Sequence, residues 1–179
     1  GKTFKELLEN IDNINVGCDG LLFTPYIVGE RTPYADSKIR GSFIGIDTNH
    51  NLDHFTRAVI EGITFSLKDS QVLMEKVANK KFSKIISVGG GAKNKEWLQM
   101  QADIFSCEIL RLESEQGPGQ GAAFLAMIVA GWYQSLEECV TKNVHYKDSI
   151  LPNTLATIEY DKVYEKYRKI YKATKEICV

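Results

Sequence analysis

The chain has 179 residues, 44% hydrophobic and 25% charged, and its 22 Lys and Arg against 23 Asp and Glu leave a formal net charge of −1. That length supports one domain with a real core and makes two a squeeze. Balanced charge with no basic stripe argues against sequence-independent nucleic-acid binding, and no run of 18 apolar residues offers a membrane-spanning helix.

Cys18, Cys107, Cys139 and Cys178 are widely separated and form no C-x-x-C pair. His50, His54 and His145 add no metal-ligand spacing, because Asn51-Leu52-Asp53 reads as a turn between the first two. Reduced thiols in a cytoplasmic protein are the expectation. Gly1-Lys-Thr-Phe-Lys-Glu6 lacks the apolar region of a signal peptide. The absence of a starting methionine suggests a processed or excised fragment.

In chain order, Phe4, Leu7, Leu8, Ile11 and Ile14 predict one short amphipathic helix over residues 3–14. After a turn at Gly17 and Gly20, Leu21–Val28 reads as a short buried strand that Pro25 ends or deflects. A loop rich in charge and turn residues follows from Gly29 to Gly41, where Glu30 and Arg31 are candidates for a local ion pair of small worth. Ser42–Ile46 reads as a strand. Asp53 is the expected cap of a long helix to about Asn79, whose apolar face holds Val59, Ile60, Ile63, Leu67, Leu73, Met74 and Val77. Gly62 within it points to close packing on another backbone, and Glu61 is expected as a partly exposed carboxylate.

The chain is organised around Ile86-Ser-Val-Gly-Gly-Gly-Ala-Lys-Asn94. An apolar run, Ile85–Val88, passes through three glycines into a helix over Lys95–Phe105, with Asn94 as its cap. Glycines at such a turn let backbone approach a ligand, and N–H groups at the helix start point at negative charge. No Gly-Lys-Ser/Thr closes the turn, so it is not a P-loop. Gly89 and Gly91 match only part of a dinucleotide fingerprint, since Asn94 stands where a third glycine belongs. A tight turn with no ligand is the competing reading. Glu108–Leu112 then predicts a second strand, Gly117-Pro-Gly-Gln-Gly121 a second glycine turn, and Ala122–Trp132 an apolar and therefore buried helix. Strand, helix, strand, helix in this order implies a parallel pair whose ligand edge carries both glycine turns. Residues 134–156 read as irregular and polar, and Asp161–Cys178 as a last amphipathic helix with Tyr164, Tyr167 and Tyr171 on one face.

Two stretches together resemble the FGGY carbohydrate kinases. One is Gly20-Leu-Leu-Phe-Thr-Pro-Tyr-Ile-Val-Gly-Glu-Arg-Thr-Pro-Tyr-Ala-Asp36, continuing through Arg40–Gly45. The other runs from Gly41 to Glu61: Gly41, Phe43, Gly45 and Ile46, a seven-residue gap, then His54, Phe55, Ala58, Val59, Ile60 and Glu61. The Gly-Glu-Arg-Thr-Pro form and Arg57–Gly62 look most like the xylulose kinases of that family, with gluconate kinases the near rival and glycerol kinase more distant.

The resemblance implies an α/β fold: one domain over 1–179, the C-terminal lobe of the actin-like ATPase (ribonuclease-H-like) architecture, incomplete at its N-terminal strands. It implies transfer of the ATP γ-phosphate to a sugar hydroxyl, D-xylulose giving xylulose 5-phosphate, with ATP and Mg²⁺ as cofactors. By position, Gly89, Gly90 and Gly91 would approach the nucleotide, Gly90 closest, while Ala92 and Asn94 would face the adenine. Gly119 and Gly121 would serve helix packing. The sugar would be bound mainly by an N-terminal lobe absent here, and the family's catalytic Asp and its Gly-Thr phosphate-binding turn, upstream of the first helix, are absent as well. No residue here is carried over as catalytic or metal-binding, and neither Glu30 nor Asp36 is the family's base. The lobe alone is expected to be inactive and open to self-association, a homodimer included. Nucleic acid and membrane are not expected partners.

The rival readings are a dinucleotide-binding oxidoreductase domain, resting on Gly89, Gly91 and the ribose-binding position of Glu113, and a non-catalytic interaction domain that keeps the fold alone.

Overall fold

A computed structural model describes residues 1–113 and 117–178. Its longest element starts where Asn51, in extended backbone, accepts hydrogen bonds on its side chain from the N–H groups of Asp53 and His54 at 2.9 and 3.3 Å. The cap is therefore Asn51 and not Asp53, which already lies in the first turn, where its charge faces the positive helix end. Helix α2 runs Leu52–Ala78 and stops at Asn79, which adopts left-handed geometry with φ 47°. Before it, strand β1 (Leu22–Thr24) ends at Pro25 as expected and pairs antiparallel with β2 (Ser42–Ile44). Gly62 is the close approach that its type announces: a Cβ there would lie 2.2 Å from the Phe23 carbonyl oxygen.

The expected N-terminal helix is shorter. Helix α1 covers Phe4–Leu8, closed by a capping box between Thr3 and Glu6, and a 3₁₀ turn follows at Ile11–Asn13. The break lets Leu8 and Ile11 both enter a cluster with Ile60 and Met100. The Ile11 carbonyl accepts both from the Ile14 N–H at 3.2 Å, closing the 3₁₀ turn, and from Arg57 at 2.7 Å.

That Arg57 belongs to a buried polar network. Its Nε donates to Glu61 Oε1 at 2.8 Å and its other arm to the Tyr160 hydroxyl at 2.9 Å, while Tyr160 donates to Glu61 at 3.1 Å. The Gly17 N–H and the Cys18 thiol also donate to Glu61. Glu61 is thus buried, 2% exposed, and not the partly exposed carboxylate its helical position suggests. The turn at Gly17 and the helix carrying Tyr160 cover it from both sides. Burial holds its carboxyl above the usual range, with Arg57 and the other donors pulling the other way.

The main sheet has the order β3-β4-β5: β3 (Lys84–Ser87) parallel to β4 (Glu108–Leu112), and β4 antiparallel to β5 (Tyr146–Ile150). Helix α3 (Lys95–Phe105) makes the crossover at the bounds expected. The segment read as irregular in fact contains helix α5 (Leu136–Asn143), capped by Ser135, and β5. Tyr-Lys-Asp-Ser-Ile shows no apolar alternation because β5 is an edge strand, largely exposed, and held by backbone pairing plus an Arg111–Asp148 ion pair at 3.3 Å.

Helix α6 (Thr154–Tyr167) starts seven residues before the expected Asp161, at the cap Asn153, and the chain breaks at Arg168–Lys169 before helix α7 (Ile170–Thr174). Leu155 and Ile158 are exposed, which blurs the pattern of its first turns. Tyr160, Tyr164 and Tyr167 join Phe65, Leu98, Ile104 and Ile109 in the main core.

Two expectations about burial fail in an informative way. Helix α4 (Pro118–Val129) is not buried: Phe124 alone is covered among its residues, and Val129 is 90% exposed. Among the described residues nothing lies within 4 Å of a Cβ built at Gly119 or Gly121, so neither packs against another described element, contrary to expectation. In α2, the predicted apolar stripe is the bare one beyond Ile60. Leu67, Leu73, Met74 and Val77 are exposed, while Lys68, Asp69, Gln71 and Glu75 are buried and bonded to Asp161, Tyr164, the Phe105 carbonyl and Phe82 N–H in turn.

Arg57→Ala leaves a buried carboxylate without its cation, and we expect a loss of about 3–5 kcal/mol in urea unfolding. Three cysteines are buried and free, and burial pushes the Cys107 thiol up to about 11, whereas Cys178 is partly exposed. Iodoacetamide followed by mass spectrometry is expected to label Cys178 first in the native chain and the others only on unfolding.

Candidate nucleotide-binding site

The glycine stretch sits where β3 ends. Gly89 has φ 86°, outside the range comfortable for other residues, and Gly90–Lys93 forms one 3₁₀ turn before α3. The turn is closed by backbone bonds from Ala92 N–H to Gly89 at 3.2 Å and from Asn94 N–H to Gly91 at 3.3 Å. Asn94 is the cap of α3, as the sequence predicts: its side-chain oxygen accepts from the Trp97 N–H at 2.7 Å. That oxygen is therefore committed to the helix, and the amide nitrogen is the part left to face a ligand.

The three glycines differ in role. Gly89 and Gly90 are exposed, and a Cβ at either would meet nothing within 4 Å. Among the described residues, the space a side chain at Gly90 would occupy is open. Gly91 packs inward instead: a Cβ there would lie 2.9 Å from the Trp97 ring. Ala92 is 7% exposed and belongs to the main core, so its side chain anchors the turn and only its backbone is near the surface. Trp97, which the sequence places only on the one side of the helix with Leu98, Gln101, Ile104 and Phe105, is the turn's rear support. Its indole N–H donates to the Thr64 hydroxyl of α2 at 3.0 Å. The available signal was its place three residues after the cap.

The parallel register pairs Ser87 with Arg111, so β3 and β4 end on the same edge of the sheet. From β4 the chain reaches Gly117 through 114–116, which lie outside the described residues. Gly117 caps α4, with Pro118 at the first helical position.

The two carboxylates of the charged loop are used to fold it. Glu30 accepts from the Thr32 N–H at 2.8 Å and from Ser66, and not from Arg31. Asp36 accepts from the N–H groups of Lys38 and Ile39 and from the Tyr171 hydroxyl. Among the described residues, no group of three or more His, Cys, Asp or Glu is placed to hold a metal ion.

The family model for the FGGY family of carbohydrate kinases, C-terminal domain, matches residues 2–130. The chain belongs to the FGGY carbohydrate kinases. It is 54% identical to a xylulose kinase of Lactococcus lactis over 99% of this chain and 36% of that protein. It is 34% identical to a gluconokinase of Bacillus subtilis over 69% of this chain and 24% of the relative. Its structure matches that of a ligand-bound xylulose kinase of Lactobacillus acidophilus with a TM-score of 0.89, at 31% identity, covering 97% of this chain and 35% of the other. The chain thus spans about a third of the length of the kinases it matches. The fold is that of the C-terminal lobe of an actin-like ATPase, and the dinucleotide reading falls with it: Glu113 is an exposed residue whose N–H donates to the His145 carbonyl. Within the FGGY signature Ala58, Ile60 and Glu61 are buried and serve the packing of α2, whereas Phe43 and Ile46 are exposed.

Gly91→Ala drives a methyl into the Trp97 ring and is expected to cost about 1–3 kcal/mol, whereas Gly90→Ala should leave stability unchanged. Asn94→Ala removes the cap and is expected to cost about 1 kcal/mol. Urea midpoints of the three variants, compared side by side, check this ordering.

Proposed function

We propose that this chain is the ATP-holding part of a carbohydrate kinase that transfers the γ-phosphate of ATP to a hydroxyl of D-xylulose. The observation that carries the reading is the glycine turn between β3 and the capped start of α3, where a Cβ at Gly90 would meet nothing within 4 Å among the described residues, in a chain of the FGGY family. A phosphate or ribose can approach such backbone closely, and the helix start favours negative charge. Gly89 and Gly90 would take the nearest contacts, Gly91 and Ala92 would hold the turn's shape from behind, and the Asn94 amide would face the adenine.

The chain's part in the chemistry is to bind and orient the nucleotide. Phosphoryl transfer depends on positioning and on charge stabilisation more than on covalent help from protein. Mg²⁺ would arrive with ATP, held by phosphate oxygens and water, as this ion commonly is. The base that takes the sugar proton would come from the region the relatives possess and this chain does not span. Free thiols and ATP chemistry both suit the cytoplasm.

Xylulose is favoured over gluconate by the higher identity to the Lactococcus xylulose kinase than to the Bacillus gluconokinase. Comparison of kcat/KM for D-xylulose and D-gluconate, in the enzyme that contains this region, tests that preference.

Calorimetric titration of this chain with Mg-ADP, with NAD as a control, tests the site itself. We expect binding of ADP and none of NAD. Gly90→Asp sets a carboxylate against the phosphates and should weaken ADP binding by at least about tenfold, or about 1.4 kcal/mol, with the urea midpoint unchanged. Undiminished ADP binding by that variant would put the site elsewhere.

A further inference from the structure

Trp97 ties the glycine turn to two other parts of the molecule. Its backbone N–H donates to the Asn94 side chain at 2.7 Å, and its ring stands 2.9 Å from where a Cβ at Gly91 would lie. Its indole N–H donates to the Thr64 hydroxyl of α2 at 3.0 Å. The ring also packs against the cluster of Leu8, Ile11, Ile60 and Met100.

The Thr64 hydroxyl has a set direction. Its one proton goes to the Ile60 carbonyl at 2.8 Å, so its lone pairs are what remain for a neighbour. An indole N–H can only donate. A donor-only group therefore meets a hydroxyl whose free capacity is to accept, and turning the ring over would strand that N–H at a cost. Thr64 is 0% exposed and β-branched, so it has little room to follow a displaced ring. Helix α2 thus holds the ring in one orientation.

The turn depends on such a hold. Gly90–Lys93 is four residues of 3₁₀ geometry, closed by two backbone bonds of 3.2 and 3.3 Å. Runs of this kind are weak alone. Both groups assigned to the nucleotide lean on Trp97. Gly90 does so through its neighbour Gly91, which abuts the ring, and the Asn94 amide through the side-chain oxygen that the Trp97 N–H engages. A turn that the ligand itself must order binds more weakly by the cost of that ordering.

We propose that Thr64 and Trp97 are a positioning pair for the nucleotide: their hydrogen bond presets the glycine turn, so ATP affinity depends on a hydroxyl too buried to touch ATP. The pair's role rests on the kinase reading above and extends it to a residue of α2. The effect falls on binding and not on transfer, because a preset turn serves ground state and transition state alike.

The test is Mg-ADP titration and steady-state kinetics of Thr64→Val, Thr64→Ser, Trp97→Phe and the Val/Phe double variant, in the enzyme that contains this region. Thr64→Val keeps the side chain's shape and removes the acceptor. Its Kd for Mg-ADP and its KM for ATP should each rise about three- to tenfold, with kcat and the KM for sugar unchanged. Thr64→Ser restores the acceptor and should restore the affinity. Trp97→Phe removes the donor and should weaken ADP binding as well. The double variant should lose no more than the worse single one, since both break the same bond. Leu21→Val trims a separate core cluster with Cys18, Phe23 and Ala58. It should lower the urea midpoint and leave ADP affinity at the wild-type value, which separates positioning from general loss of stability.

Wild-type ADP affinity in Thr64→Val, additive losses in the double variant, or an equal loss in Leu21→Val would each overturn the proposal. If Thr64→Val does not fold, Trp97→Phe and Thr64→Ser decide the matter by the same readouts. Gly90→Asp tells the two failures apart. Undiminished ADP binding there sinks the nucleotide site and the positioning pair with it. Loss of ADP there, beside wild-type binding in Thr64→Val and Trp97→Phe, sinks the pair and spares the site.

Discussion

The contact on which the rest of the structure depends is the buried pair of Arg57 and Glu61. Two charges are taken out of water, which is costly unless their remaining hydrogen-bonding capacity is met. It is met here from four places: the Ile11 carbonyl, the Gly17 N–H, the Cys18 thiol and the Tyr160 hydroxyl. Those groups come from the N-terminal turns and from α6, more than 140 residues apart in the chain. The network therefore fixes α2 between them, and a change in any one partner leaves a buried polar group unpaired.

With α2 fixed, the site follows. Thr64, one turn beyond the network, accepts from the Trp97 indole, and the Trp97 ring fits against Gly91. The glycine turn is thus held from behind by apolar contact and one hydrogen bond, while Gly89 and Gly90 face outward. The turn's rear is set by packing, while a Cβ at Gly90 would meet nothing among the described residues. The same α2 also carries the exposed apolar stripe, so one helix serves both the core and the site.

Much of the local structure was legible in residue order. The crossover β3, α3 and β4 matched its predicted span because it combines strong helical periodicity with a clean cap at Asn94 and short apolar strands. The Gly62 approach to Phe23 was readable because a helix tolerates glycine only for a reason. Elsewhere the local signal was weak or misleading. Strand β5 is held by pairing with β4 and not by hydrophobic alternation. Asn51 and Asp53 are both good caps, and only backbone geometry chooses between them. Glu61 lies on a helix face that pattern alone leaves half exposed, and its burial is decided by the turn at Gly17 and by Tyr160.

The sequence by itself determined the family, the parallel unit, the long helix and the glycine turn between β3 and α3, because each rests on near-neighbour chemistry or on a spaced pattern such as Gly41–Glu61. Tertiary structure alone decided which glycine faces outward and which packs, since Gly90 and Gly91 are identical in sequence terms and differ only in what lies beyond them. It also decided which face of α2 is covered. Periodicity places Leu67 and Met74 on an apolar stripe, but whether a stripe is buried depends on what packs against it, and in this chain the partners of α2 come to its polar side.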